Sequence, residues 1–357
     1  MVASLNSPLS AGVSSGAVSG AARDAVSDMS SDGSSGMPPS PASVPTTAGL
    51  KAVETPRPSA QRDPRPAVLL LHGLCANPLE LMPLARTLRT AGYVVDAPAL
   101  AGYGVSTEKE TQGEKAPVTR FEDWLALALQ HFDALAARHE QVVVGGLSMG
   151  SVLALAVSLR RPVAAQLLLS TSLHYDGWNV SPWRRLLPLA FVPPLRQWLS
   201  FREREPYGIK NERLRAWVAQ AMASEHVSAA GADTLSAAAL YQASRMIRFV
   251  RAGLPQIQAP TLILHASEDD VSGPRSVHEL QSRLGTRPEQ IEVHWFHHSY
   301  HMLTLDNERS AVAHAARDFL LSRVPVSASL LAHPISHLSP LAHRHNLTEE
   351  TFHEQHA

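Results

Sequence analysis

The clearest chemical signal in this 357-residue chain is the segment 146–150, with the sequence GLSMG, which matches the pattern G-x-S-x-G. Alone the match means little, because about one protein in ten of this size would contain it by chance at average Gly and Ser usage. Its position gives it weight. It follows an apolar run and opens a helical pattern, as a nucleophile elbow requires. Gly146 and Gly150 would leave room at the turn that lifts the Ser148 hydroxyl toward the N–H groups of a helix N-terminus.

A serine hydroxyl is a weak nucleophile, so an acid and a histidine base should follow it in the chain. Two clusters fit this order, one after each of two apolar runs near the end of the folded region. The carboxyl ends of parallel strands meet at one edge of a sheet, where α/β proteins bind their ligands. The residues alone leave the acid open among Glu268, Asp269 and Asp270, and the base open among His297, His298 and His301.

A parallel sheet must bring these residues together, and apolar runs alternate with helical patterns throughout residues 67–322. Short apolar runs predict strands buried on both faces. Such alternation predicts an α/β fold with a mostly parallel central sheet and helices on both faces. The predicted strands are Ala67–His72, Tyr93–Ala97, Gln141–Gly145, Gln166–Leu169, Thr261–His265 and Ile291–Phe296. The predicted helices are Leu79–Ala91, Phe121–Arg138, Ser151–Leu159, Val277–Leu284 and Arg309–Leu321.

The alternation stops between Leu173 and Pro255, a stretch too long for an ordinary connection. It contains four of the six tryptophans, and its prolines would break any long helix. We predict a mostly helical cap insertion over about residues 173–255, whose tryptophans and leucines line an apolar pocket above the strand ends. The alternative for any one tryptophan is packing of the cap onto the core. The charge run 202–205 is expected to be a solvated face.

Four segments of the chain resemble the α/β-hydrolase carboxylesterases and monoacylglycerol lipases. The resemblance covers about residues 66–322 and is weakest in the insertion. This sequence departs from the family pattern at two places. Tyr300 stands where glycine is frequent, and residues 102–104 read GYG where GHG is frequent. Both departures are expected to affect the shape of the pocket rather than the chemistry. The four segments are 71–74 (LHGL), 146–150 (GLSMG), 265–271 (HASEDDV) and 299–306 (SYHMLTLD).

The resemblance implies an α/β-hydrolase fold and selects one residue from each open cluster. The family's acid falls at Asp269 and its base at His301. Asp270 is then expected to be a solvated neighbour, and the other two histidines to be strand-end residues. The implied enzyme is a serine hydrolase that cleaves carboxylic esters.

Two backbone N–H groups are expected to form the oxyanion hole. One belongs to Met149, the residue after the nucleophile, and the other lies in the loop after the first strand, at Leu74. We expect two-step acyl transfer through an acyl-enzyme on Ser148, with no metal or organic cofactor. The expected substrate is a small-molecule ester with an apolar acyl chain.

Two alternatives to ester hydrolysis remain open at this point. A thioesterase, an amidase or an acyltransferase would use the same triad, because fold and triad do not choose the substrate. A non-catalytic hydrolase-fold protein that binds an apolar ligand or a partner is the second alternative, and the complete set of triad candidates argues against it.

The overall composition limits the partners and the compartment. The formal net charge of −1 gives no electrostatic reason to expect nucleic acid or an anionic membrane as a partner. A single cysteine, Cys75, excludes a disulfide framework within one chain and fits a reducing compartment, so we expect a cytoplasmic protein. Residues 142–159 carry no charge, but their glycines and their change from β-branched to helix-forming residues favour strand–turn–helix over a membrane span.

Both ends of the chain are predicted to be disordered tails flanking one hydrolase domain at residues 67–322. Residues 1–66 are more than half Ser, Ala, Pro and Gly and contain no aromatic residue, so they cannot bury enough apolar area to offset the entropy of ordering. They also lack the continuous apolar run of a signal peptide. Residues 323–357 hold six of the 18 histidines, which we interpret as a solvated tail rather than a metal site.

Overall fold

The computed structural model of the chain describes residues 3–5, 62–104, 118–225, 227–228, 231–232 and 234–327. Its strands are β1 (Ala3–Leu5), β2 (Ala67–Leu71), β3 (Val94–Asp96), β4 (Val142–Leu147), β5 (Gln166–Leu169), β6 (Leu199–Arg202), β7 (Val227–Ser228), β8 (Gly231–Ala232), β9 (Thr234–Ser236), β10 (Thr261–Ala266) and β11 (Ile291–Phe296). Its α-helices are α1 (Met82–Thr90), α2 (Phe121–Ala136), α3 (Met149–Ser158), α4 (Leu187–Ala190), α5 (Leu195–Trp198), α6 (Glu212–Glu225), α7 (Ala237–Gly253), α8 (Arg275–Arg283) and α9 (Arg309–Arg323). Short 3-10 helices span Pro78–Leu81, Pro182–Leu186, Leu254–Gln256 and Pro288–Gln290.

Six of these strands form one parallel sheet in the order β11-β10-β5-β4-β2-β3. Strands β2, β4, β5 and β10 are buried along their whole length, as expected where helices cover both faces of a parallel sheet. The predicted strands are all present, with bounds that differ by at most two residues. The predicted mostly parallel sheet is therefore confirmed.

Successive residues of each strand point to opposite sides of the sheet. Because both sets are apolar in the buried strands, helices cover the sheet on both faces. In β2, Leu69 and Leu71 join a core formed with α2, α3, α7 and α8. Val68 and Leu70, which alternate with them, join a second core formed with α1 and α9. Helix α7 lies within the stretch predicted as an insertion, yet it packs against the same core as α2 and α3.

The rest of the insertion carries short helices and a small antiparallel sheet. Strand β6 pairs with β9 on one side and with β1 on the other. The prediction of a mostly helical insertion missed this sheet. Residues 199–202 read LSFR, and this alternation of apolar and polar residues is the signal that would have indicated a strand.

Most of the two predicted tails lies outside the described residues. Strand β1 is the described part of the chain before residue 62, and residues 328–357, with the six C-terminal histidines, are also outside the description. Within the described residues, no helix has both the length and the apolar character needed to cross a membrane.

Candidate active site

The turn between β4 and α3 places Ser148 at the centre of the carboxyl edge of the sheet. Its backbone has φ 58° and ψ −118°, a conformation that non-glycine residues rarely adopt and that is concentrated at functional sites. Both flanking glycines are sterically required. A Cβ on Gly146 would lie 2.4 Å from the carbonyl carbon of Gly150, and a Cβ on Gly150 would lie 2.0 Å from the carbonyl oxygen of Leu71.

A buried Asp–His pair lies at the same edge, since Asp269 follows β10 and His301 follows the adjacent strand β11. Nδ1 of His301 lies 2.9 Å from Oδ1 and 2.8 Å from Oδ2 of Asp269. Oδ1 also accepts hydrogen bonds from the backbone N–H groups of Val271 at 2.9 Å and Ser272 at 2.7 Å. These contacts orient the carboxylate, which holds a proton on Nδ1 of the imidazole and leaves Nε2 to act as a base.

The pKa values of the two partners reflect their mutual attraction. Burial alone would raise the pKa of Asp269 and lower that of His301. The opposite charge and the hydrogen bond outweigh burial, so the pKa of Asp269 lies below its ordinary value of 3.8 and the pKa of His301 lies above 6.5. The carboxylate therefore stays ionised while the imidazole gains and loses its proton.

Glu268, His297 and His298, which the residue pattern left open, do not join this pair. Glu268 is exposed, and its Oε2 accepts a hydrogen bond from Nζ of Lys210 at 2.7 Å. Both histidines are exposed at the end of β11. Their positions agree with the expectation that they are strand-end residues.

The expectation that Asp270 is solvated is wrong. Asp270 is 2% exposed and accepts hydrogen bonds from the backbone N–H of Gly208 at 3.2 Å and of His301 at 3.4 Å. Burial raises the pKa of Asp270 to about 6. The chain segment around Gly208, which is distant in sequence, covers this carboxyl, and a sequence pattern around residue 270 carries no sign of that cover.

The hydroxyl of Ser148 rests against a second serine. Its Oγ lies 3.2 Å from Oγ of Ser172, which is fully buried just after β5. Among the described residues, Ser172 and not His301 is the hydrogen-bond partner of the Ser148 hydroxyl. Catalytic hydrogen bonds often tighten only when substrate is bound, and a hydrogen bond from Ser148 to the imidazole would require the hydroxyl to leave Ser172.

The loop after β2 holds its peptide groups in a defined orientation. Nδ1 of His72 lies 2.8 Å from the carbonyl oxygen of Gly73, and the N–H of Cys75 donates to the carbonyl of Tyr103 at 2.9 Å. The C=O and N–H of one trans peptide point in opposite directions, so the His72 contact also orients the N–H of Leu74. In the described part of the chain that N–H has no protein acceptor, and Leu74 lines the same cavity as Ser148 and Met149.

His72 forms the rigid back of this loop. Burial lowers its pKa to about 4, so the ring is neutral, and its Nε2 accepts from the N–H of Leu100 at 3.3 Å. The hydroxyl of buried Tyr103 donates to the carbonyl of His72 at 2.9 Å. A Cβ on Gly104 would lie 2.5 Å from the His72 ring. The GYG sequence therefore supports the loop from behind.

The carboxyl of Glu80 was not among the residues predicted for the site. Its side chain is 1% exposed, lines the same cavity as Ser148 and accepts a hydrogen bond from the N–H of Gly73 at 2.6 Å. Burial raises the pKa of Glu80 to about 8. A signal was present, because Glu80 precedes Leu84 and Leu88 at intervals of four and so occupies the buried stripe of that helical pattern.

These groups open onto a cavity of about 560 Å³ that contains both Ser148 and His301 in its wall. Leucines supply much of the wall, as expected, but of the four tryptophans in the insertion only Trp183 lines it. Arg202, Arg204 and Glu205 are exposed, as expected of a solvated face, whereas Glu203 is half-buried. Glu203 and Arg204 also line the cavity. The aliphatic residues, Trp and Phe that the cap contributes to the wall are Val180, Trp183, Leu186, Leu187, Leu189, Ala190, Leu195, Leu199, Phe201, Leu235 and Leu240.

Comparison with protein families and curated proteins gives consistent matches. A family model described as "Serine aminopeptidase, S33" matches residues 62–308. A carboxylesterase from Bacillus subtilis (strain 168) is 26% identical over 269 residues, which cover 75% of this chain and 97% of that protein. A thermostable monoacylglycerol lipase from Bacillus sp. (strain H-257) is 25% identical over 252 residues, which cover 71% of this chain and 89% of that protein.

Solved structures match the fold at low sequence identity. A structure from the work on LipS and LipT, two metagenome-derived lipolytic enzymes, has a TM-score of 0.59 and 24% identity, and the match covers 74% of this chain and 98% of that one. A soluble variant of monoglyceride lipase from Saccharomyces cerevisiae has a TM-score of 0.60 and 15% identity, with 74% and 89% covered. These matches confirm the α/β-hydrolase fold.

Proposed function

Because the chain belongs to the serine aminopeptidase S33 family of α/β-hydrolases, we propose that it is a serine hydrolase that cleaves uncharged small-molecule esters with an apolar acyl chain. The curated relatives are a carboxylesterase and a monoacylglycerol lipase, which supports ester hydrolysis. The observation that carries the proposal is a cavity with a largely apolar wall that contains Ser148 and His301, with Asp269 paired to His301.

The first half of the proposed reaction forms the acyl-enzyme. Oγ of Ser148 attacks the ester carbonyl carbon, and Nε2 of His301 takes the hydroxyl proton. Asp269 stabilises the imidazolium that forms and does not itself become protonated. The N–H groups of Leu74 and Met149 donate to the oxyanion of the tetrahedral intermediate. The ester C–O bond to the alcohol then breaks, and His301 gives the proton to the leaving alcohol.

The second half regenerates the serine. Water takes the place of the alcohol, gives its proton to His301 and attacks the acyl carbonyl carbon. The second tetrahedral intermediate breaks down to a carboxylic acid, and the proton returns to Oγ of Ser148. The chemistry needs no metal or organic cofactor.

The wall of the cavity supports an apolar acyl chain. Leu187, Leu199 and Phe201 belong to its cap side, and burial of apolar surface contributes about 0.8 kcal/mol for each CH₂ group of a ligand. We expect catalytic efficiency to rise with acyl length until the cavity is filled.

A panel of p-nitrophenyl esters with acyl chains from C2 to C16 tests this proposal. We expect a clear optimum within the series and loss of activity in Ser148→Ala by about 10³- to 10⁶-fold in kcat. Ser158→Ala, at the far end of the same helix, is the matched control and should keep the activity. Near-wild-type hydrolysis by the Ser148 variant would overturn the nucleophile assignment, and a flat profile would overturn the acyl pocket.

Amide hydrolysis is the second candidate, because the family description names an aminopeptidase. Fold and triad serve both leaving groups. Adding aminoacyl anilides and thioesters to the panel separates these chemistries. If kcat/KM for an aminoacyl anilide exceeds kcat/KM for the matching ester, the proposed activity would be an aminopeptidase rather than an esterase.

We extend the proposal to the organisation and location of the chain. Residues 67–322 are proposed to form the hydrolase domain, with the cap insertion at about 173–255, of which α7 packs on the main core. The tails are proposed at 1–66 and 323–357, except that Ala3–Leu5 pairs with β6. The single cysteine supports a cytoplasmic location. Fractionation of the native host, with recovery of the activity outside the cytoplasmic fraction, would contradict that location.

A further inference from the structure

Glu80 lies where its carboxyl group can control the loop after β2, which carries the expected oxyanion donor Leu74 and is called the oxyanion loop below. Its side chain returns from the 3-10 helix Pro78–Leu81 to the loop after β2, and its Oε1 accepts from the N–H of Gly73 at 2.6 Å. His72 holds the carbonyl of the same glycine at 2.8 Å. Gly73 is thus held at both of its backbone polar groups, and the next N–H along the chain, that of Leu74, is the expected oxyanion donor.

The surroundings of Glu80 disfavour its charged form. Gly73 N–H is the hydrogen-bond donor to this carboxyl, whereas Asp269 receives two backbone donors and the imidazole. Three titratable groups face Glu80 from neighbouring elements. His301 favours the carboxylate and Glu203 of the cap opposes it. Tyr103, behind the loop, has its pKa raised far above the ordinary range by burial and by Glu80, and so stays neutral.

A carboxylate at this position would oppose the proposed reaction. The transition state places negative charge on the substrate oxygen beside Leu74 and Met149, in the cavity that Glu80 also lines. Like charges in a water-poor site repel strongly. A neutral carboxyl group keeps the hydrogen bond to Gly73 without this cost, because its carbonyl oxygen is still an acceptor.

We propose that Glu80 is a positioning residue that holds the oxyanion loop in its uncharged form, and that ionisation of Glu80 switches the site off. The inference rests on the proposed ester hydrolysis. Its direct consequence is a fall in kcat/KM as the pH rises, centred where Glu80 loses its proton. Ordinary glutamate is already ionised at neutral pH, so burial in this cavity is what makes the active form available there.

The pH dependence of the wild-type enzyme is the first measurement. Acid release from methyl butyrate in a pH-stat gives kcat/KM between pH 6 and 10 without a chromophore that titrates. With a pKa of about 8 for Glu80, we expect kcat/KM at pH 9 to be about tenfold lower than at pH 7. Absence of any ester hydrolysis would instead reject the proposed function, so the two failures are distinct.

Glu80→Gln separates charge from position. The amide oxygen can still accept from Gly73, and we expect kcat/KM at pH 7 within about threefold of the wild type. The alkaline decline should disappear. Glu80→Ala removes the contact altogether and should lower kcat by about 10- to 100-fold at pH 7 with little change in KM, since the oxyanion donor is misplaced.

Glu203→Gln provides a second readout that does not alter Glu80 itself. Removing the charge that opposes ionisation of Glu80 should shift the alkaline decline to lower pH. Glu289→Gln, an exposed carboxyl far along the chain, is the matched control and should leave the wild-type profile unchanged. Melting temperatures and labelling by a fluorophosphonate identify variants that fail to fold.

Three results would overturn the inference. The wild type could hydrolyse the ester without an alkaline decline, a folded Glu80→Gln variant could keep the wild-type decline, or Glu203→Gln could leave it in place. If Glu80→Gln fails to fold, the wild-type and Glu203→Gln profiles decide the question.

Discussion

Asp269 and Glu80 are both buried near the carboxyl edge of the sheet, with 3% and 1% exposure, yet their pKa values move in opposite directions. Asp269 follows β10 and meets the imidazole of His301 and two backbone N–H groups, which hold its pKa below the ordinary value. Glu80 follows β2 and meets one N–H, and burial raises its pKa to about 8. Burial of a carboxyl therefore does not decide its charge, and the number and charge of its donors do.

The opposite pKa shifts suit Asp269 and Glu80 to different roles in the proposed reaction. In the proposed mechanism, an ionised carboxylate on one side of β4 stabilises the positive charge that forms on the imidazole. On the other side of β4, a neutral carboxyl is proposed to hold a loop beside the negative charge that forms on the substrate. Each protonation state matches the sign of the charge that develops next to it.

The same carboxyl-to-amide change at the two positions should give the largest contrast. We predict that Asp269→Asn lowers kcat on the order of 10⁴-fold, because an amide in place of the carboxylate favours the wrong imidazole tautomer. Glu80→Gln should stay near the wild-type rate at pH 7. Steady-state kinetics on one short ester compares the two variants. Equal losses of kcat in both would contradict the different roles proposed for Asp269 and Glu80.

Stability should show the second largest contrast. The folded-state pKa of Glu80, about 8, lies above its ordinary value of 4.5. Its contribution to stability is therefore complete below pH 4.5 and is lost as the pH rises to about 8. Relative to Glu80→Gln, the wild type should lose on the order of a few kcal/mol between pH 4.5 and pH 8, since each unit of difference is about 1.4 kcal/mol.

Melting temperatures of both proteins at pH 5 and pH 9 check this prediction. The wild type should fall further than the Gln variant between the two conditions. A parallel fall of both proteins would mean that Glu80 is ionised in the folded state at both values.

The acid side of the pH profile depends on Asp269 through its effect on the pKa of His301. The pKa of His301 is raised above 6.5 despite its burial, chiefly by the charge of Asp269 and the hydrogen bond to it, and catalysis needs the neutral imidazole. We predict that kcat/KM falls about tenfold per pH unit on the acid side, with its midpoint above pH 6.5. The acid decline should persist in Glu80→Gln. A midpoint clearly below pH 6.5 would contradict the raised pKa.

The smallest predicted effect concerns the nucleophile between the two carboxyls. Ser172→Ala removes the hydroxyl that Ser148 contacts at 3.2 Å. A neutral hydrogen bond contributes about 0.5–1.5 kcal/mol, so we expect kcat/KM to rise about two- to twelvefold. Kinetics at pH 7.5 measures this, and a decrease would indicate that Ser172 assists the reaction instead of holding the resting hydroxyl.

The sheet was predictable because its strands are short apolar runs that local sequence defines. The edge that holds the candidate site was predictable for the same reason, since Ser148, Asp269 and His301 each follow such a run. The choice of Asp269 over its neighbours came from family resemblance. In the structure Asp269 contacts the imidazole while Glu268 is exposed.

The features that escaped prediction depend on contacts between distant segments. Asp270 is buried by the chain around Gly208, and β6 pairs with strands from two other parts of the chain. Glu80 was visible as an acid in an apolar stripe, but its role depends on the N–H of Gly73, seven residues earlier. Local patterns locate the buried positions, whereas the partners of a buried polar group come from tertiary structure.

Labelling with a fluorophosphonate probe, followed by peptide mapping, is the most direct test that Ser148 is the activated nucleophile. We predict one phosphonylated site, on Ser148, with labelling absent in Ser148→Ala, strongly slowed in Asp269→Asn and little changed in Glu80→Gln at pH 7. Labelling of another residue, or no labelling of a folded wild-type protein, would contradict the proposed hydrolase mechanism.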